Sequence, residues 1–154
     1  MNISLQKRSP FCICGYCKET DLAACGEDLG KLWKEYEFKK GSLDTICDNS
    51  DSFYGLMWNT EGGRYCYLIG VETDSPGPYP AGPICKSVAA AEYAVAYIPV
   101  TQSAVDVWTE FYNRALPDAG LEPAPGHVYD FEYYPKGGNA DYELWTPVIK
   151  KQKT

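Results

Sequence analysis

The run Tyr129–Tyr134 combines carboxylate and phenol side chains in a way that suits the binding of an organic cation. In a strand its side chains alternate, so that Asp130, Glu132 and Tyr134 face one side and the other three, all aromatic, face the opposite side. A carboxylate among aromatic rings attracts an organic cation by its charge and by the ring quadrupoles, at roughly 0.5–2 kcal/mol per ring contact. Glu132 is therefore the candidate anchor of a binding site. The alternative is a solvated strand carboxylate, because most Glu side chains are exposed.

Aromatic residues in other expected strands are candidates for the walls of such a site, because flat rings bind many planar ligands. Each has packing in the core as its alternative, since 13 Tyr and 4 Trp also have to fill the interior. Trp33 and Trp108 lie on expected helix faces and are predicted to be core residues, with one ring bordering the junction cleft as the alternative. Glu72 and Glu143 are candidates for a second acid, with solvation at a strand edge as the alternative. The candidate ligand-binding residues are Glu132, Tyr54, Trp58, Tyr67, Tyr93, Tyr134 and Trp145.

Seven cysteines and one histidine are the remaining residues that could bind a metal or act as nucleophiles. Cys12, Cys14 and Cys17 are spaced so that their thiolates could converge on a soft metal ion. The odd number of cysteines and their irregular spacing do not fit a disulfide framework, and no second close pair completes a metal site. We therefore expect reduced thiols that fill the core, no metal and no cofactor. His127 follows Pro125 and Gly126 in an expected loop, where a Cys–His nucleophilic pair is the weaker alternative.

Length and charge exclude several classes of protein. The chain has 154 residues, 45% of them hydrophobic, which is the size and composition of one ordinary globular domain. Its net charge of −7 repels a phosphate backbone, so direct nucleic-acid binding is not expected. No apolar run reaches the roughly 18 residues of a membrane-spanning helix, and none follows Lys7 and Arg8 to form a signal peptide. A cytoplasmic location is the resulting expectation, with no membrane partner.

The elements that must position these residues occur in two copies. Trp33 and Trp108 lie 75 residues apart, each in a stretch with helical periodicity. Two glycine pairs, Gly62-Gly63 and Gly137-Gly138, are separated by the same interval, and each lies between two aromatic, β-rich runs that predict a hairpin. An extended run precedes each helix. Each half therefore predicts a β-α-β-β unit, with the leading strands within 11–17 and 84–100.

The predicted fold is an α+β domain built from these duplicated β-α-β-β units. We expect them to join in one antiparallel sheet with two helices on one face and a pocket at the pseudo-twofold junction. Ser103 and Asp106 form a potential capping box for the second helix, which Pro117 and Gly120 would end. The whole chain, 1–154, is expected to be one domain. It divides into repeat 1 at about 3–74, a Pro/Gly connector at 75–83, and repeat 2 at about 84–150.

A resemblance to a known family follows from the order and spacing of eight segments along nearly the whole chain. They are RSPFCICG (8–15), KLWKEY (31–36), FYGLMW (53–58), RYCYLIGVE (64–72), AAEYAVAYIP (90–99), DVWTEFYNRALPDAG (106–120), YDFEYYP (129–135) and YELWTPV (142–148). The chain resembles the gyrase-inhibitor-like family, whose domain is also the effector-binding domain of some AraC-type and MerR-type regulators.

The resemblance implies a stand-alone effector-binding domain with a pocket at the junction of its repeats. Aromatic residues line that pocket in the family, and an acidic residue often meets cationic, planar ligands there. The family's F-E-x-Y motif matches Phe131-Glu132-Tyr133-Tyr134, which gives the acidic role to Glu132. The helix-turn-helix segment of the regulators is absent, so any DNA-binding protein would be a partner in trans.

Two classes of function and one weaker hypothesis are consistent with these residues. The first is a multidrug-like receptor for small amphipathic or cationic aromatic molecules, with Glu132 as the counter-charge. The second is a hydrolase of ring-strained genotoxic electrophiles, a reaction that the resemblance implies for some stand-alone members. In that enzyme Glu132 would act as the base, and Tyr93 or Tyr134 would stabilise developing charge. The weaker hypothesis is an interaction protein that contacts DNA gyrase or a regulator in trans.

Overall fold

The computed structural model of the chain describes residues 1–40, 52–74, 77 and 82–152. Nine strands are present in this part of the chain, and all of their pairings are antiparallel. The strands are β1 (Ile3–Arg8), β2 (Phe11–Thr20), β3 (Phe53–Asn59), β4 (Tyr65–Thr73), β5 (Ile84–Val88), β6 (Ala91–Ile98), β7 (Leu121–Pro123), β8 (Asp130–Tyr134) and β9 (Tyr142–Lys150).

The strand order has an internal twofold symmetry. Eight strands follow one path in the order β1-β6-β9-β8-β3-β4-β2-β5, and β7 pairs with β9 beside that path. The path reads the same from either end when each strand of one repeat is exchanged for its counterpart in the other. The two repeats meet at the β3–β8 pair, in which Gly55 lies opposite Glu132. The duplicated α+β fold predicted from the sequence is confirmed.

The first strand of each repeat is an arm that pairs with the other repeat. β1 pairs with β6, and β5 pairs with β2. We call β1 and β5 the exchanged arms. The sequence did not predict β1 as a strand, and it predicted one extended run where β5 and β6 are separate strands. The short strand β7 was also missed. The connector between the repeats lies mostly outside the described residues.

Two helical segments cover one face of the sheet. α1 (Cys25–Lys39) buries Leu32 and Tyr36, and its first turn carries acidic residues that suit the positive end of the helix dipole. α2 (Ala104–Glu110) continues through a π-helical segment (Phe111–Ala115) into α3 (Leu116–Asp118). Ser103 is the residue before α2, but its side chain makes no capping hydrogen bond, which corrects the expected capping box. Within the described residues, neither α1 nor α2 is long and apolar enough to cross a membrane.

The sheet has a buried cluster on each face. The helices pack on the cluster that contains Ile69, Phe111 and Leu144. The opposite face carries a second cluster, which contains Leu56, Phe131 and no helical residue. Alternation along the strands sends neighbouring residues to different clusters. A residue's parity in its strand therefore decides which of the two clusters it packs in.

One disulfide corrects the prediction that all cysteines are reduced. Cys14 of β2 and Cys85 of β5 are directly opposite each other in the antiparallel register and form a disulfide. The bond joins the arm of repeat 2 to repeat 1. Cys12, Cys17, Cys25 and Cys66 are free thiols, and Cys47 lies outside the described residues.

Candidate functional site

A cavity of about 600 Å³ lies between the two helices and the centre of the sheet. Its floor comes from β3, β4 and β8, and its sides come from α1 and α2. Most of the lining is aromatic or aliphatic. The lining includes Leu29 and Trp33 of α1, Val105, Trp108 and Tyr112 of α2 and its π-helical continuation, and Met57, Trp58, Tyr65, Tyr67, Asp130, Glu132 and Tyr134 of the strands.

Glu132 is the buried acid of this cavity. Glu132 is 2% exposed, and its carboxylate accepts three hydrogen bonds from neutral donors. The hydroxyls of Tyr67 and Tyr134 each donate to Oε1 over 2.6 Å, and the indole Nε1 of Trp108 donates to Oε2 over 2.7 Å. Hydrogen bonds to a charged group are shorter and stronger than those between neutral groups, so these three donors hold the carboxylate in one orientation.

Gly55 provides the space for one of these donors. A Cβ at Gly55 would lie 2.0 Å from the hydroxyl oxygen of Tyr67 and 2.4 Å from its Cζ. The Tyr67 ring therefore crosses the backbone of β3 at a position without a side chain. It reaches Glu132 there because Gly55 and Glu132 are paired across β3 and β8. Glu132 of β8 can therefore accept the Tyr67 hydrogen bond because position 55 of β3 has no side chain.

The hydroxyls around Glu132 remain protonated. Burial raises the pKa of Tyr67 well above its usual range, and the Glu132 charge raises it further. The same two causes, in the same order, raise the pKa of Tyr134. Both side chains therefore act as neutral donors. Neutral donors stabilise the carboxylate but leave its negative charge in place.

The described lining of the cavity contains no Lys or Arg, and His127 is its basic side chain. Trp33 packs edge-on against Phe53 at 4.8 Å and against Tyr134 at 6.1 Å between ring centroids. Trp108 stacks on Tyr112 at 6.0 Å. The arrangement is a negatively charged group inside an aromatic enclosure, which is the chemistry that attracts an organic cation.

Asp130 is a second carboxylate in the same cavity. It precedes Glu132 by two residues on β8 and faces the same side of the sheet. The hydroxyl of Tyr112 donates a hydrogen bond to Oδ2 of Asp130, while Oδ1 is buried without a hydrogen-bond partner. Burial raises the pKa of Asp130, against the opposing effect of the Tyr112 hydrogen bond. His127 Nε2 lies 3.6 Å from Oδ1, too far for a hydrogen bond.

The structure brings four of the sequence-predicted binding residues together. Glu132, Tyr67 and Tyr134 line the cavity from the helix side of the sheet. Trp58 is also part of the lining, but its ring packs against the cluster on the opposite face, 5.7 Å from the Tyr129 ring. Trp33 and Trp108, predicted as core residues, also line it. Asp130, Tyr112 and Met57 were not among the candidate binding residues. The periodic helix stripes were the available signal for both tryptophans, but periodicity does not distinguish a ring in a solid core from one that borders a cavity.

Three other predicted wall residues, Tyr54, Tyr93 and Trp145, lie in the cluster on the opposite face of the sheet. Strand parity is the reason, because each of them points to the same side as Phe131. The Tyr93 ring lies 5.5 Å from Phe131, and its hydroxyl is buried without a hydrogen-bond partner. The structure thus separates these three side chains from the cavity that contains Glu132.

The opposite face of the sheet carries a positively charged side chain of the protein itself, that of Arg8. The Arg8 guanidinium lies 3.8 Å from the centre of the Phe11 ring and forms a 2.6 Å ion pair with Glu72. The Tyr54 hydroxyl donates to the same Glu72 oxygen over 2.8 Å. Glu143 accepts a 2.9 Å hydrogen bond from Nε1 of Trp145. Neither of the two sequence candidates for a second acid therefore lines the cavity.

Comparison with known proteins identifies relatives of the chain. Residues 4–148 match the sequence profile of the Cass2 family, described as integron-associated effector binding proteins. The transcriptional regulator BrlR of Pseudomonas aeruginosa is 27% identical in an alignment of 155 positions that covers 96% of this chain and 56% of BrlR. The chain thus spans just over half the length of that regulator.

Solved structures share the fold. SAV2435 bound to tetraphenylphosphonium superposes with a TM-score of 0.73 at 17% identity, covering 97% of this chain and 94% of SAV2435. The integron cassette protein VCH_CASS2, from the mobile metagenome of Vibrio cholerae, superposes with a TM-score of 0.71 at 19% identity, covering 96% and 95% of the two chains. These likenesses establish the architecture of the sheet and helices.

Proposed function

We propose that this chain, which belongs to the Cass2 family of integron-associated effector binding proteins, is a receptor. Its ligands would be small organic cations with aromatic or apolar surface. The observation that carries the proposal is the buried Glu132 carboxylate, which has three neutral donors and no Lys or Arg in the described lining of its cavity. A ligand cation would supply the missing positive charge.

The enclosure supports the same class of ligand. A cation beside Glu132 would lie among the rings of Trp33, Trp108 and Tyr134, which offer both apolar contact and their quadrupoles. A cavity of about 600 Å³ is within the usual range for drug-sized ligands. The tetraphenylphosphonium bound to SAV2435 is such a molecule, and we extend this ligand class to the present chain as part of the proposal.

The test is the affinity for tetraphenylphosphonium, measured by quenching of tryptophan fluorescence and by calorimetry. Glu132→Gln keeps the shape of the side chain and removes its charge, so we expect affinity to fall at least tenfold, about 1.4 kcal/mol. Glu143→Gln is the matched control, because it removes a hydrogen-bonded carboxylate from a residue outside the cavity lining. Equal affinities in the wild type and both variants would contradict the proposal.

The hydrolase hypothesis is not favoured by a specific feature of the site. The pairing of a Glu132 base with Tyr93 does not fit, since the two side chains face opposite sides of the sheet. The hydroxyls that do contact Glu132, those of Tyr67 and Tyr134, are donors to it. Mass spectrometry of the ligand recovered after incubation separates the two functions, because a receptor returns it unchanged. Co-purification with gyrase at physiological salt tests the protein-partner hypothesis.

A further inference from the structure

Asp130 and Glu132 are placed at different depths along one line of the cavity. Both side chains project from the same face of β8, where two residues span roughly 7 Å. The Glu132 residue is 2% exposed, whereas the side chain of Asp130 is 20% exposed, although its Oδ1 is buried. Val105 and Val128, which are exposed, line the same cavity and mark its open side. The two carboxylates therefore lie one behind the other from the interior to the opening.

The Asp130 carboxylate is less fully satisfied than that of Glu132. One of its oxygens accepts from Tyr112, and the other has no hydrogen-bond partner. His127 Nδ1 lies 3.1 Å from the carbonyl oxygen of Ala124, which can only accept. Nδ1 therefore carries a hydrogen, and Nε2 is the ring atom that faces Oδ1 of Asp130. Within the described lining the second acid therefore has His127 as its basic neighbour and no Lys or Arg.

One monovalent ligand can balance one of the two cavity carboxylates, and the basic neighbour of the other in the described lining is His127, at 3.6 Å. The described lining of the cavity has two carboxylates, Asp130 and Glu132, and no Lys or Arg. We propose, resting on the cation-binding function above, that Asp130 is a second anchor and that the preferred ligands of this site are dications. One cationic centre is held at Glu132 in the interior, and the other meets Asp130 near the opening. The rings of Trp108 and Tyr112 flank the segment between them.

The test compares dications with matched monocations. Alkanes with a trimethylammonium group at both ends, in a series of spacer lengths, are titrated against alkyltrimethylammonium ions with the same carbon chains. In the wild type we expect the dication to bind about tenfold more tightly than the monocation when the spacer approaches the roughly 7 Å between alternate residues of a strand. This comparison needs no variant, so it does not depend on whether a substitution disturbs folding.

Variants then locate the second anchor. Asp130→Asn should remove the advantage of the dication, because it should lower dication affinity about tenfold more than it lowers monocation affinity. Glu132→Gln should weaken both ligands. Equal binding of dication and monocation by the wild type would overturn the role of Asp130, while loss of monocation binding in Glu132→Gln would still support the cation receptor. If the wild type binds neither ammonium series nor tetraphenylphosphonium, both proposals are overturned.

Discussion

Substituting Gly55 by Ala should disrupt the donor set of Glu132 although neither the acid nor any of its donors is substituted. The added Cβ would lie 2.0 Å from the Tyr67 hydroxyl and 2.4 Å from its Cζ, so the ring has to move. Overpacking of this kind costs about 1–3 kcal/mol, and the lost hydrogen bond to a charged group costs about 1.5–3 kcal/mol. We expect Gly55→Ala to lower the free energy of unfolding by about 2.5–6 kcal/mol.

A double-mutant cycle separates this mechanism from a general intolerance of the strand to Ala. Tyr67→Leu shortens the side chain so that it ends before the position of Cζ, which vacates the volume that the new Cβ needs. In that background Gly55→Ala should be neutral or stabilising by about 0.5 kcal/mol, because Ala loses less backbone entropy than Gly on folding. The coupling energy should therefore exceed about 2 kcal/mol, well above the additivity error of independent sites.

Urea unfolding of the wild type, both single variants and the double variant measures this coupling. Tetraphenylphosphonium affinity of the same four proteins reports on the site, and it should be reduced in Gly55→Ala because Glu132 loses one of its orienting donors. Equal destabilisation by Gly55→Ala in the wild-type and the Tyr67→Leu backgrounds would refute the reasoning. It would show that Gly55 is required by the backbone of β3 and not by the Tyr67 ring that donates to Glu132.

Three further predictions concern other parts of the molecule. Tyr93→Phe removes a buried hydroxyl that has no hydrogen-bond partner, so the free energy of unfolding should stay unchanged or rise by about 1 kcal/mol. Cation affinity should not change, and a tenfold loss of affinity would contradict the placement of Tyr93 on the face opposite the cavity. Reduction of the Cys14–Cys85 disulfide should lower the free energy of unfolding by about 2–4 kcal/mol, measured with and without dithiothreitol, and Cys14→Ser should show no such dependence. Burial raises the pKa of Asp130 in the folded protein, so the folded state retains a proton that the unfolded state has released, and stability falls as pH rises through that interval. Asp130→Asn should reduce this fall in urea unfolding from about pH 4 to pH 7, and parallel pH profiles would contradict the assignment.

The sequence predicted those features that depend on local pattern. The two glycine pairs lie in the loops that join β3 to β4 and β8 to β9, and Gly62, Gly63 and Gly137 all have positive φ. Alternation within β8 correctly assigned Glu132 and Tyr134 to one side and Phe131 to the other. Each of these inferences needed only the period of a strand or the backbone freedom of glycine.

Features set by pairing between distant strands were not predictable in the same way. The alternation of side chains along β6 could be predicted from the sequence, but the sequence did not show which face of the sheet the helices cover. Tyr93 and Trp145 were therefore predicted as wall residues, although they lie on the face opposite the helices. The disulfide between Cys14 and Cys85 depends on the register of β2 against β5. The role of Gly55 depends on a ring that arrives from β4. In all three cases the missing information was the relative position of two segments far apart in sequence.

The exchanged arms make each repeat unfinished without the other. Repeat 1 supplies β1 as the outer neighbour of β6, and repeat 2 supplies β5 as the outer neighbour of β2, so a half of the chain alone would expose a vacant strand edge. Two polypeptides produced by opening the chain between the repeats would thus be complementary fragments. Each would offer an arm that the other lacks, and such fragments are expected to reassemble one to one, in the manner of subunits. In such a pair of fragments, repeat 2 would carry both carboxylates of the described cavity lining, Asp130 and Glu132.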